Sequence, residues 1–442
     1  MRDGNFHWKF PAATTIAPAM QHREDITAER QERADFPIGF VEFIALIAAL
    51  MALNALSIDP MLPALPAIGQ DLGVADDNSR QWVVSTYFLG LGIGALFYGS
   101  LSDSFGRKPV LIVTMLLYLA TTLLCALSTS FTALLIGRAA AGFFAASTRV
   151  VAISIVRDRF VGDRMARIMS TVFIVFMIVP VLAPAFGQVI LYIANWRWIF
   201  GALLLIGGAT TLWTALRLPE TLAKHNRVGI RIGDVAAIFG QIITNRSALG
   251  YMIASGIVMG SLVGFINSVQ QIFFDVFHKP AIFAFAFAGV AGSMAIGSFL
   301  NSRLVERVGA RRLSQGALML FVLLSSVHVG VILAGAENVW TYCIIQSATM
   351  LVFAFSGPNF GSISMESFAR GAGAASSFQA CLTTILSALI GAFIGAQFDG
   401  STLPLALGFL ACGSGALLSV IWAERGKLFT RPKVPKMPMP YR

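Results

Sequence analysis

Apolar runs long enough to cross a bilayer, about 20 residues each, recur along most of this chain and are separated by short polar turns. Few folds remain open to such a sequence. Backbone in hydrocarbon must satisfy its N–H and C=O groups internally, as helices or closed barrels do. Phe40 to Ile58 and Val110 to Leu127 are apolar on every face, whereas a barrel strand alternates apolar residues with polar ones facing the lumen. The chain therefore reads as an all-α membrane protein. Composition agrees: 56% of its 442 residues are hydrophobic and 12% are charged, against about 25% charged in soluble domains. Soluble enzymes built from alternating strands and helices are excluded.

The runs place membrane spans near 38–62, 81–101, 109–128, 131–156, 168–192 and 196–216, then near 248–272, 282–304, 313–334, 338–363, 374–397 and 401–422. Twelve spans thus fall into two sets of six. The expected organisation is an N-terminal tail (1–37), a six-helix bundle (38–217), a polar linker (218–247), a second bundle (248–424) and a C-terminal tail (425–442), with the linker as the boundary.

A net charge of +10 invites a nucleic-acid reading, but the placement of the cations argues against it. Arg107, Lys108, Arg157, Arg159, Arg164, Arg311 and Arg312 lie on one side of the predicted spans, while the other side carries Arg80, Arg197 and Lys279. This bias predicts a multi-pass protein of the cytoplasmic (inner) membrane with both termini in the cytoplasm. The surplus charge then serves orientation and contact with anionic lipid. The mixed charges of Arg23 to Asp35 enclose no apolar stretch, so no signal peptide is expected there. Cys125, Cys343, Cys381 and Cys412 all fall inside spans without Cys-x-x-Cys spacing or a His cluster, which supports neither disulfide nor metal site.

Two loops repeat one another. Gly99-Ser-Leu101-Ser-Asp103-Ser-Phe-Gly106-Arg107-Lys108-Pro109 follows span 2, and Ser302-Arg-Leu304-Val-Glu306-Arg-Val-Gly309-Ala-Arg311-Arg312 follows span 8. Leucine, acid, glycine and base recur at one constant offset, the trace expected of two halves related by an axis along the membrane normal.

The first of these loops, Gly-x-Leu-x-Asp-x-x-Gly-Arg-Lys, resembles the signature of the major facilitator superfamily. Ser57-Ile-Asp59-Pro-Met-Leu-Pro63-Ala-Leu-Pro66, Arg138 with Gly142, and Ala183-Pro184-Ala-Phe-Gly187-Gln188 leading to Trp196-Arg197 are similar to its twelve-helix drug:proton antiporters, in particular the bicyclomycin/chloramphenicol-resistance branch. The pattern departs from that branch at Ala141, where Gln is usual, at Ala183, where Gly is usual before Pro184, and at Val179, where a small residue is usual. The resemblance implies two pseudo-symmetric six-helix bundles and proton-driven export of small, mostly hydrophobic compounds. It also implies a conformational latch at Gly99, Asp103, Gly106, Arg107 and Lys108, with Asp158 as the partner of Arg107.

Individual residues carry further expectations. A carboxylate inside a span is costly unless it faces a cavity or a partner, or takes up a proton. Asp59 is such a residue, though the prolines after it leave open an interfacial position. Arg138 lies at similar depth in span 4, so an Asp59–Arg138 ion pair is expected to couple protons to transport. Glu42, about 25 Å away along span 1, reads as an interfacial charge. Arg149 shares a helix face with Arg138 to within about 20°; its two readings, a pathway residue or a side chain snorkelling to the membrane surface, stay open. Pro180, Pro184 and Gly187 form a stripe on span 5 suited to close packing. Asn54, Asn267, Gln270 and Gln346 are candidates to line a substrate cavity. Leu262 stands where the second half would repeat Asp59.

No cofactor is needed beyond a proton gradient, and a monomer is expected. The rivals to an exporter are a carrier dedicated to one metabolite, which the same fold supports, and an intramembrane enzyme. The latter needs converging His, Ser and carboxylate groups, and its one candidate, His328, has no acid nearby in its own helix.

Overall fold

Polar side chains at the span ends supply the hydrogen bonds that a helix terminus lacks. Ser130 Oγ accepts from the Ala133 N–H at 3.2 Å, Asn245 Oδ1 accepts from the Ala248 N–H at 3.1 Å, and Asn338 forms a capping box with Thr341. The computed structural model describes residues 38–160, 162–227, 232–368 and 372–429. The tail expected over 1–37, and that after 429, lie outside the described residues.

Among the described residues the structure is helical. Spans 2 to 6 are Trp82–Phe105, Arg107–Ala126, Phe131–Arg159, Gly162–Ile193 and Arg197–Arg217. Spans 7, 8, 9, 11 and 12 are Arg246–Gln271, Phe283–Val308, Ala310–Leu333, Ala372–Ala396 and Leu403–Ala423. Eleven segments are long and apolar enough to cross a membrane. Span 5 is the remaining one, a continuous 32-residue helix whose described apolar stretch is Ile178–Ile193.

Spans 1 and 10 are interrupted. Span 1 is helical over Phe40–Leu56, tightens into 3₁₀ turns over Asp59–Ala64, and resumes as Leu65–Asp71. Pro60 and Pro63 lack the N–H groups that an α-helix would need there. Span 10 consists of Val339–Phe353 and Ser356–Met365, with Pro358 in the first turn of the second piece, where no intrahelical N–H bond is required. The repeated loops turn alike: Gly106 and Gly309 have φ of 101° and 90°, a conformation that glycine adopts without a Cβ clash.

Within the first half, span 4 packs on spans 2 and 3, and span 1 packs on spans 4 and 5. In the second half, span 7 lies against spans 11 and 12. The halves meet where span 2 runs along span 11 and span 5 along span 8. Hydrogen bonds joining the halves gather at the end away from the repeated loops. Gln81 donates to Gln271, Gln271 to Asn78 at 3.0 Å, Asn78 to the Phe398 carbonyl at 2.9 Å, and Asn267 to Ser85 at 3.0 Å. The linker carries a helix, Ile232–Thr244, that packs on spans 7 and 11, with the Phe239 and Phe378 rings 4.8 Å apart.

Candidate substrate pathway and its charged residues

Asp59 opens the 3₁₀ segment of span 1 and is 5% exposed, the only buried carboxyl among the described residues. Helix does end before Asp59, yet the side chain stays inside, because span 5 covers the segment. A Cβ on Gly187 would lie 2.2 Å from the Pro60 carbonyl oxygen, so the glycine lets the two backbones touch. This is the packing expected of the Pro180, Pro184 and Gly187 stripe; Pro184 is buried and Pro180 half-buried.

The expected Asp59–Arg138 ion pair is not formed. Arg138 is 1% exposed; its Nε donates to the Val83 carbonyl at 2.9 Å, and its guanidinium lies 4.4 Å from the Tyr87 ring centroid. One terminal nitrogen, Nη2, has no partner. Matching depths from sequence could not settle the pairing, because span 2 reaches Arg138 first and offers both a carbonyl and a ring. Glu42 is held at its own end of the bundle by Arg217, at 2.7 and 2.8 Å, and by Trp213 at 3.2 Å.

The four polar residues expected to line a cavity are buried, with exposures of 8% for Asn54, 0% for Asn267, 2% for Gln270 and 1% for Gln346. Asn54 bonds across its own half, donating to Thr148 at 2.9 Å and accepting from Tyr87 at 3.4 Å. Asn267 bridges the halves to Ser85. Gln346 Nε2 is unpartnered. Asn54 and Asn267 are thus engaged by other helices, which was not readable from their positions along the chain.

The loop after span 2 forms a charge cluster. Arg107, 2% exposed, meets Asp158 at 2.8 Å, Asp103 at 2.5 Å and Ser102 at 2.7 Å. Glu220, after span 6, accepts from the backbone N–H groups of Arg107 at 3.0 Å and Lys108 at 3.3 Å. Asp103 therefore faces Arg107 in this conformation. A Cβ on Gly106 would meet Glu220 at 2.5 Å; a Cβ on Gly99 would meet Ser377 of span 11 at 2.8 Å. The second half repeats the scheme, with Arg311 on Glu366 at 2.9 Å and on Glu424 at 2.8 Å.

Removing Arg107 leaves Asp158 and Asp103 without their shared cation, whereas neutralising Asp103, whose side chain is 41% exposed, leaves the Arg107–Asp158 pair in place. Arg107→Ala should cost about 3 kcal/mol of stability, as for a buried pair that loses one partner. Asp103→Asn should cost less than about 1 kcal/mol, as for an exposed pair. Thermal unfolding of both variants in detergent checks the order; equal losses would refute it.

Sequence reading missed the acid that partners His328. Glu337, in the turn before span 10, reaches His328 Nε2 at 2.8 Å and also accepts from Thr402. The pair ties spans 9, 10 and 12 together at one end, and helical spacing could not find it because a turn intervenes.

Two repeated six-helix halves, joined along spans 2 and 11 and spans 5 and 8, with charge clusters at corresponding loops, define a polytopic membrane carrier. Residues 45–392 match the family model of the Major Facilitator Superfamily, and the chain belongs to that superfamily. It is thus a member of a transporter family and not an enzyme. The chain is 32% identical over 255 residues to a bicyclomycin resistance protein homolog of Haemophilus influenzae, covering 57% of this chain and 63% of that one. It is 28% identical over 362 residues to the uncharacterized MFS-type transporter YdgK of Bacillus subtilis, covering 79% and 87%. With multidrug resistance protein D of Escherichia coli it shares 27% identity over 232 residues, covering 50% and 59%. The fold resembles the crystal structure of the human organic anion transporter MFSD10 (TETRAN), with a TM-score of 0.63, 17% identity, and coverage of 86% of this chain and 99% of that one.

Proposed function

We propose that this chain exports small, mostly hydrophobic compounds in exchange for protons, by alternating access between its two halves. The observation that carries the reading is Asp59: a lone buried carboxyl, with no ion pair among the described residues, at the break in span 1. Such a group can exchange a proton as its surroundings change. The names of the Haemophilus and Escherichia relatives speak for a compound-exporting branch. Arg138, held on Tyr87 and the Val83 carbonyl of span 2, would sense the rearrangement of spans 1 and 2. The Asp103, Arg107 and Asp158 cluster, with Gly99, Gly106 and Lys108, would serve as the latch between conformations.

In this reading the protein is a monomer in the inner membrane, its repeated basic loops and both termini facing the cytoplasm, with bundles over 38–217 and 248–424 joined by the linker 218–247. Everted membrane vesicles energised with a proton gradient should take up members of a panel of uncharged antibiotics and dyes. Each transported compound should partly collapse the gradient. Uptake that is indifferent to an uncoupler would overturn the proposal.

A further inference from the structure

Span 4 carries a second arginine, and the fold treats it unlike the first. Arg149 is solvent-exposed although its neighbours Ala145, Ala146, Ser147, Thr148 and Ala152 are all at most 2% exposed. The contacts around it fix the direction in which that face looks. Thr148 bonds Asn54 of span 1 at 2.9 Å, Ser147 bonds Thr114 of span 3 at 2.6 Å, and a Cβ on Gly94 of span 2 would meet Ala146 at 2.9 Å. Arg149 projects between spans 1 and 2, away from span 3. Span 2 itself packs on span 11, where a Cβ on Gly92 would meet Ile385 at 2.8 Å, so this side of span 4 is the one on which the second half lies.

Snorkelling does not account for the residue. Arg159, at the end of the helix, is about 15 Å further along the axis, and the face is the protein's inner one. Among the described residues no hydrogen bond or ion pair holds the guanidinium, whereas Arg138, on the same face, is covered by Tyr87 and the Val83 carbonyl. An exposed guanidinium without a partner on the inner face of a bundle is a ready partner for an oxyanion, which its planar fork can bind with two parallel hydrogen bonds.

We infer that Arg149 is a substrate-anchoring residue between the halves, and that it selects small amphipathic organic anions, such as aromatic carboxylates or sulfonates, over their uncharged analogues. The inference rests on the export reading only in taking the space between the halves as the substrate's path. The apolar part of the ligand would remain free to vary while the oxyanion is fixed on the guanidinium, so one charge contact would set preference without a rigid pocket.

The test uses the full-length protein in phosphatidylcholine nanodiscs and two probes that share a ring, 2-naphthalenesulfonate and uncharged N,N-dimethyl-2-naphthalenesulfonamide, with binding read by equilibrium dialysis. The wild type should favour the sulfonate by about tenfold or more, the scale of a charge-assisted hydrogen bond. Arg149→Gln should remove that preference while leaving the uncharged probe's affinity unchanged, which also reports that the variant is folded. Arg149→Lys should restore part of the preference. If Arg149→Gln binds both probes as the wild type does, or weakens both equally, the inference is overturned. Anion preference that depends on Arg149 in a protein showing no proton-driven transport would tell against the export reading and leave this one standing.

Discussion

Asp59→Asn should abolish uphill transport while leaving substrate binding in place. The substitution keeps the side chain's size and removes its ability to lose a proton, so the 3₁₀ segment can still pack Pro60 against Gly187. What disappears is the change of charge that would link the conformations to the gradient. In proteoliposomes, accumulation against a concentration gradient should fall to background and the pH dependence of exchange should flatten. Substrate-triggered proton release, read with a pH dye in detergent, should vanish. Binding of an uncharged substrate measured by dialysis should stay close to that of the wild type. Two other acids of the spans are less suited to the role, since Glu42 is held by Arg217 and Trp213 and Asp275, at the end of span 7, is exposed. If Asp59→Asn still concentrates substrate with normal pH dependence, the proton travels by another group.

The second large effect is on assembly. Spans 2 and 4 touch backbone to backbone: a Cβ on Gly90 would lie 1.9 Å from the Ala139 carbonyl oxygen, and one on Gly142 would lie 2.0 Å from that of Tyr87. No rotamer change relieves such a contact, because the obstructing atoms belong to helix backbone. Overpacking typically costs about 1–3 kcal/mol, and with rigid helices on both sides Gly142→Val should reach or exceed the top of that range. The displaced Tyr87 would also give up its place beside Arg138. Gly142→Val and Gly90→Val should therefore sharply lower the yield of monodisperse protein and its unfolding temperature. Gly208→Ala, in span 6 with nothing within 4 Å, should be neutral, or slightly stabilising by helix propensity, up to about 1 kcal/mol. A Gly142→Val protein as stable as the Gly208→Ala control would refute the close approach. The sequence does hold a hint of this interface in the spacing of Gly90 and Gly94, since small residues four apart let membrane helices approach.

Sequence alone determined the helical class, the order of the spans and the division into halves. A bilayer leaves an apolar run little choice but helix, and the repeated loops carry their glycines at equivalent turns, each with positive φ. It also singled out Asp59, Arg107 and Asp158, because a charge within or beside a span needs a reason to be there. Tertiary structure alone decided which charges meet. Arg138 and Arg149 share one helix face, yet one is enclosed by Tyr87 and the Val83 carbonyl while the other is left exposed. Spacing along a helix gives direction but not what stands opposite, and in a bundle the approach of the neighbouring spans determines whether a cation is covered or left free for a ligand.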